Sequence, residues 1–159
     1  MKKNIILTIS LALFLGLYNI EANSFAAPVA QKTQQAQYDK IINTTSLNVV
    51  ASPAKYLNKT VKMQATFDKF SALGLDYSKA LRKSNEYIGI LIQRDDVVDH
   101  NIPLTEMKIF MKKDMAEKHI DLDTGDKIEI TAKVFSTALN DPWLDIQKLT
   151  VIQKAKKTN

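Results

Sequence analysis

The chain has 159 residues, no cysteine and a net charge of +5 at pH 7. Without thiols it has no disulfide framework, no thiol catalysis and no zinc–thiolate site, so its stability must come from a hydrophobic core. Residues 38–153 carry equal numbers of basic and acidic side chains, and the basic surplus sits outside them, at Lys2, Lys3, Lys32, Lys154, Lys156 and Lys157; a pI of 9.3 therefore describes the ends of the chain more than a polyanion-binding face.

Residues 1–26 read as an export signal. Lys2 and Lys3 give a positive start, residues 5–18 (IILTISLALFLGLY) form an uncharged apolar run, and small residues follow at Ala22, Ser24 and Ala26. The run is shorter than the roughly 20 residues that span a bilayer. Cleavage after Ser24 or, preferably, Ala26 leaves no stable membrane anchor and places the product in the periplasm or the medium. Residues 27–37 (APVAQKTQQAQ) lack a hydrophobic period and read as a flexible leader. One folded domain is expected over residues 38–153, followed by a basic tail at residues 154–159.

Residues 46–57 place Leu47, Val50, Ala54 and Leu57 at helical spacing behind Ser46 as cap, with Pro53 splitting them into two short turns of helix. Residues 60–68 alternate strictly, with Val61, Met63, Ala65 and Phe67 on one face, as in a half-buried strand. Residues 70–86 lose that period and form a long excursion with a helical turn over 77–82. A second strand is expected at 87–93, an acidic loop at 94–103, a third strand at 107–112 and a short helix at 114–119 capped by Asp114. Thr124, Gly125 and Asp126 turn into a fourth strand at 127–135. The fifth, at 143–153, shifts its inward set from Leu144 and Ile146 to Leu149 and Val151, which requires a bulge near Gln147 and Lys148. Three strands, a short helix and two more strands is the order of an all-β, five-stranded OB-fold Greek-key barrel with its helix between strands three and four.

Residues 52–67 (SPAKYLNKTVKMQATF), 122–135 (LDTGDKIEITAKVF) and 141–152 (DPWLDIQKLTVI) resemble small exported bacterial proteins with an OB fold, a group similar to nucleic-acid-binding OB domains. The resemblance implies a Lys-Thr-Val opening of the first strand, a Gly-Asp turn before the fourth and a Pro-Trp-Leu opening of the fifth. Asn58 stands where a glycine is commoner, and it tolerates the left-handed backbone conformation.

In this fold ligands sit on strands two and three and the loops at their rim. If Ile88, Ile90 and Ile92 face inward with Ile109 and Met111, then Tyr87, Leu91, Lys108, Phe110 and Lys112 face outward. Lys69 and Arg82 in the first loop and Trp143 at the start of strand five extend that surface. Rings mixed with lysines suit an oligonucleotide or oligosaccharide; the competing reading is that protein, from this chain or a partner, covers the apolar groups. Trp143 reads first as closing the barrel's end and second as a stacking platform.

No cofactor is implied. Asp95, Asp96, Asp99 and His100 read as a solvated loop, and Asp121, Asp123 and Asp126 fail the calcium-loop pattern because Ala132 stands where a bidentate Glu is needed. No metal site or catalytic residue is assigned: His100 and His119 lie in unrelated polar segments, and no G-x-S-x-G, H-E-x-x-H or Gly-rich phosphate loop occurs. The expectation is an exported, non-enzymatic binding or interaction module.

Overall fold

The structure is a computed structural model that describes residues 40–97 and 102–156. The expected signal and leader, together with Asp99 and His100, lie outside the described residues. β1 (Ile42–Asn43) is followed by α1 (Ser46–Ala51), α2 (Pro53–Tyr56), β2 (Thr60–Ser71), β3 (Tyr87–Ile92), β4 (Lys108–Lys112), α3 (Lys113–Glu117), β5 (Lys127–Ser136) and β6 (Trp143–Gln153).

β2 is long enough to serve two partners. Its first half pairs antiparallel with β5, from Thr60 opposite Lys133 to Thr66 opposite Lys127. Its second half pairs antiparallel with β3, after a register shift between Phe67 and Lys69 that bends the strand. β3 continues to β4, β4 pairs parallel with β6, and β6 returns antiparallel to β5. The ring β2-β3-β4-β6-β5 closes on itself, and α3 falls in the chain between β4 and β5, so the fold is the expected five-stranded OB barrel. β1 adds two residues parallel to the start of β2, a strand too short to show in the sequence pattern.

The alternating residues do what their period demands. Val61, Met63, Phe67, Ile128, Ile130 and Leu144 point into one continuous core that includes Ile90, Ile92, Ile109 and Met111. The bulge in β6 falls at Gln147, skipped between the pairs Thr131–Lys148 and Ala132–Ile146, so Ile146 and Leu149 both reach the interior. Asn58 adopts φ 62°, and its N–H donates to Val134 O at 2.8 Å, tying the lead-in to β5.

Two local expectations are corrected. The cap of α1 is Thr45, whose Oγ1 accepts the N–H of Asn48 at 3.3 Å; Ser46 lies one residue inside, fully buried, with its hydroxyl 3.4 Å from Asp95. α3 starts at Lys113 with Lys112 as cap residue, and Asp114 sits in its first turn with its carboxylate on the N–H of Met115. The split at Pro53 stands, with the proline opening α2. No helix among the described residues is long and apolar enough to cross a membrane.

Candidate functional site

Strand alternation puts Tyr87, Leu91, Lys108, Phe110 and Lys112 on the face away from the main core. The geometry departs from the expected open surface in exposure: Phe110 is 0% exposed, Trp143 1% and Leu91 8%. Phe110, Trp143 and Ala80 form a second apolar cluster, packed by Leu75, Tyr77, Tyr87, Phe135 and Ala138. Its cover is the chain's own excursion over residues 72–86. The rings of Tyr77 and Trp143 stack at 5.3 Å, Phe110 lies 5.9 Å from Trp143, and the indole N–H donates to Ala138 O at 2.7 Å. Trp143 thus closes an outer cluster rather than the barrel's end, and it is no open stacking platform.

The loop reaches these rings because Gly74, at φ +84°, has no side chain: a Cβ there would lie 3.1 Å from Trp143 and 3.2 Å from Phe110. Asp76, at φ 60°, donates its N–H to Arg82 O at 2.9 Å, and its carboxylate accepts the N–H of Ser84 at 3.0 Å. The bonds from Ser84 hold the Asp76 carboxyl below its ordinary value. The helical turn expected in this excursion is a single 3-10 turn, Ser78–Ala80.

Arg82 fastens the loop to the barrel. Its Nε donates to Asp145 Oδ1 at 2.7 Å, its Nη2 to Asp145 Oδ2, and the guanidinium carbon lies 3.6 Å from the centroid of Phe135. The hydrogen bonds to Asp145 raise the Arg82 pKa against the opposing effect of burial. Lys108 is held in a similar way, 2.8 Å from Asp141 Oδ2 and 2.5 Å from Thr105 O. Lys112 is exposed opposite Tyr87, and Lys69 is exposed opposite the buried Leu91, 3.8 Å from Asp68. Of the eight residues named from sequence, the structure gathers Tyr87, Phe110, Trp143 and Arg82 around one aromatic cluster, with Phe110 and Trp143 buried, Tyr87 and Arg82 half-buried and Lys108 at its rim. Leu91, Lys69 and Lys112 lie outside that cluster.

Sequence reasoning missed a groove where the end of β2, the start of β3 and α3 meet. It consists of two adjoining cavities of about 360 and 280 Å³ that share Phe70, Ile88 and Lys113. Ala72, Leu75, Ser84 and Tyr87 complete the first; Ala116, Glu117 and Ile120 complete the second. Phe70 is held edge-on against the core ring of Phe67 at 5.3 Å. Gly89 lets β2 and β3 close up there, since a Cβ would sit 2.9 Å from Ser71 O. Ile120 overhangs the second cavity and is 80% exposed. The period of the strands flagged Ile88 as inward-facing, but only folding brings Lys113 and Ile120 beside Phe70.

The acidic segments are structural where they are described. Arg94 bonds both Asp96, at 3.0 Å, and Glu106, at 2.5 Å. Asp126 is fully buried, and burial alone would raise its pKa. The N–H groups of Asp123 and Ala155 and the ammonium of Lys154, at 2.9, 2.8 and 2.9 Å, outweigh that and hold it low. Lys154, expected in the basic tail, is thereby tied to the turn before β5. Among the described residues no three His, Asp or Glu side chains converge as a metal site would require.

No protein-family model and no curated protein matches the chain. The solved structures it is similar to include asparaginyl-tRNA synthetase from Pyrococcus horikoshii, at 14% identity and TM-score 0.46, covering 70% of this chain and 23% of that one. They include also Entamoeba histolytica asparaginyl-tRNA synthetase in complex with asparaginyl-adenylate, at 11% identity and TM-score 0.46, covering 74% and 25%. A third is the OBody AM3L09 bound to hen egg-white lysozyme, at 10% identity and TM-score 0.44, covering 64% and 88%. The chain spans about a quarter of the length of the synthetases it matches. The fold assignment rests on the strand order and the closed ring of pairings.

Proposed function

We propose that the chain is an exported, non-enzymatic OB-fold binding module whose ligand site is the groove beside α3, with the outer strand face sealed by the chain's own loop. The observation that carries this reading is the concave, mostly apolar lining of two adjoining cavities, the composition typical of ligand sites. Of the residues named from sequence, Tyr87 lines this groove. On the outer face the ionisable groups Arg82 and Lys108 are held in opposite-charge pairs with Asp145 and Asp141.

N-phenyl-1-naphthylamine, a neutral probe that fluoresces in apolar surroundings, tests the site on the full chain. Its fluorescence is expected to rise, and Ala72→Asp with Ile120→Asp, both at exposed groove positions, to weaken binding about tenfold, equivalent to about 1.4 kcal/mol. Equal binding by the variant would overturn the reading. Export is tested separately by N-terminal sequencing of the protein recovered outside the cytoplasm, which should begin at Phe25 or Ala27; an intact Met1 start there would count against it.

A second reading, an oligonucleotide or other polyanion held by the exposed Lys69, Lys79, Lys83 and Lys112, is favoured by the exposure of these lysines. The burial of Phe110 and Trp143 counts against it, since those rings would supply the stacking. It requires binding that weakens steeply between low and moderate salt.

A further inference from the structure

Resting on the groove reading, we infer that the ligand is an anionic amphiphile, a single apolar chain ending in a carboxylate, with Lys113 as its counter-charge. The two cavities adjoin through Phe70, Ile88 and Lys113, so the space is elongated. An extended chain fits such a space better than a compact ring system. Lys113 lines both cavities, and its ammonium forms no ion pair among the described residues. Its methylene stem can lie along the apolar wall while the charge meets a ligand head.

The two ends differ. In the first cavity Lys113 is the cationic group, and the hydroxyl of Tyr87 makes no hydrogen bond to other described residues, so both can serve a head group there, whereas the Ser84 side chain is engaged by the Asp76 carboxylate. The hydroxyl of Ser71, which also lines this cavity, accepts the N–H of Leu73 at 3.0 Å and keeps its own O–H as a donor. In the second cavity Phe70, Ala116 and Ile120 supply an apolar run, and Glu117 repels an anion from that end. The arrangement therefore orients as well as attracts: head toward Lys113 and Tyr87, tail along α3.

The test follows amide shifts of the full chain during titration with dodecanoate below its micelle concentration, beside dodecanol, dodecyltrimethylammonium and an uncharged apolar hexapeptide. Shifts are expected at Phe70, Ile88, Lys113 and Ala116, with dodecanoate bound most tightly. Lys113→Gln should weaken dodecanoate about fivefold and leave dodecanol unchanged, and the difference should shrink at high salt. Dodecanol or the hexapeptide binding the groove as tightly as dodecanoate, with no effect of Lys113→Gln, would overturn the ligand class while leaving the groove as the site. No shift at groove residues with any of the four would overturn both.

Discussion

The barrel interior and the aromatic cluster on its outer face draw on opposite sides of the same strands, β3, β4 and β6, yet they are assembled by different means. The interior is made by period-two strands, each inward residue backed by another strand, so every core position is held from several directions. The outer cluster has strands on one side only; its other wall is a loop held by the close approach of Gly74, the stack of Tyr77 on Trp143, the packing of Leu75 and Ala80, and Arg82 bonded to Asp145 and lying over Phe135. A wall of few contacts can open without the barrel unfolding. Burial alone does not distinguish the two regions, since Phe110 and Ile130 are equally inaccessible.

Substitutions on the two sides should separate them. Ile130→Ala removes a fully buried side chain from the interior and is expected to cost about 2–5 kcal/mol, shifting the urea midpoint and lowering hydrogen-exchange protection through all the barrel strands together. Gly74→Ala places a methyl against Trp143 at positive φ and should cost about 1–3 kcal/mol. Its signature is a change in Trp143 fluorescence and faster exchange over residues 74–84 while β2 and β5 stay protected. Loss of protection in β5 as well would show that the cluster and the core are one cooperative unit.

Arg82→Ala is expected to cost less, about 1–2 kcal/mol, because the pair with Asp145 is partly exposed to solvent. It too should loosen residues 74–84 selectively in an exchange experiment. Acidification gives the smallest effect and touches both regions, since Asp76 in the loop and Asp126 beside the barrel are each held below their ordinary value. A depressed folded-state pKa contributes stability that is complete above the unfolded value, near 4, and is lost as pH falls through the folded one. Urea midpoints should therefore hold from pH 7 to about 5 and fall below pH 4, and Asp126→Asn should flatten that fall. An unchanged acid profile in the variant would remove Asp126 from the account.

Much of the fold is legible in residues that are neighbours in sequence. Val61, Met63 and Phe67 announce β2, the shift from Ile146 to Leu149 announces the bulge, and Asn58 announces its left-handed turn. The cap of α1 falls at Thr45, one residue before the Ser46 that the pattern predicts, because Thr44, Thr45 and Ser46 are all competent caps and Ser46 is buried toward Asp95. The candidate site was legible in direction but not in accessibility. Alternation alone turned Phe110 outward, and nothing in the composition of residues 72–86 says that they fold back over it.

The positions of the five barrel strands, their inward and outward faces and the turns follow from dihedral preference and period over a few consecutive residues. Which outward residues meet solvent, and where an apolar concavity remains, is fixed only once the strands, the 72–86 loop and α3 have packed together. Those depend on contacts across long separations, Arg82 with Asp145 and Phe70 with Lys113, whose loop-closure cost is repaid only once the barrel has formed.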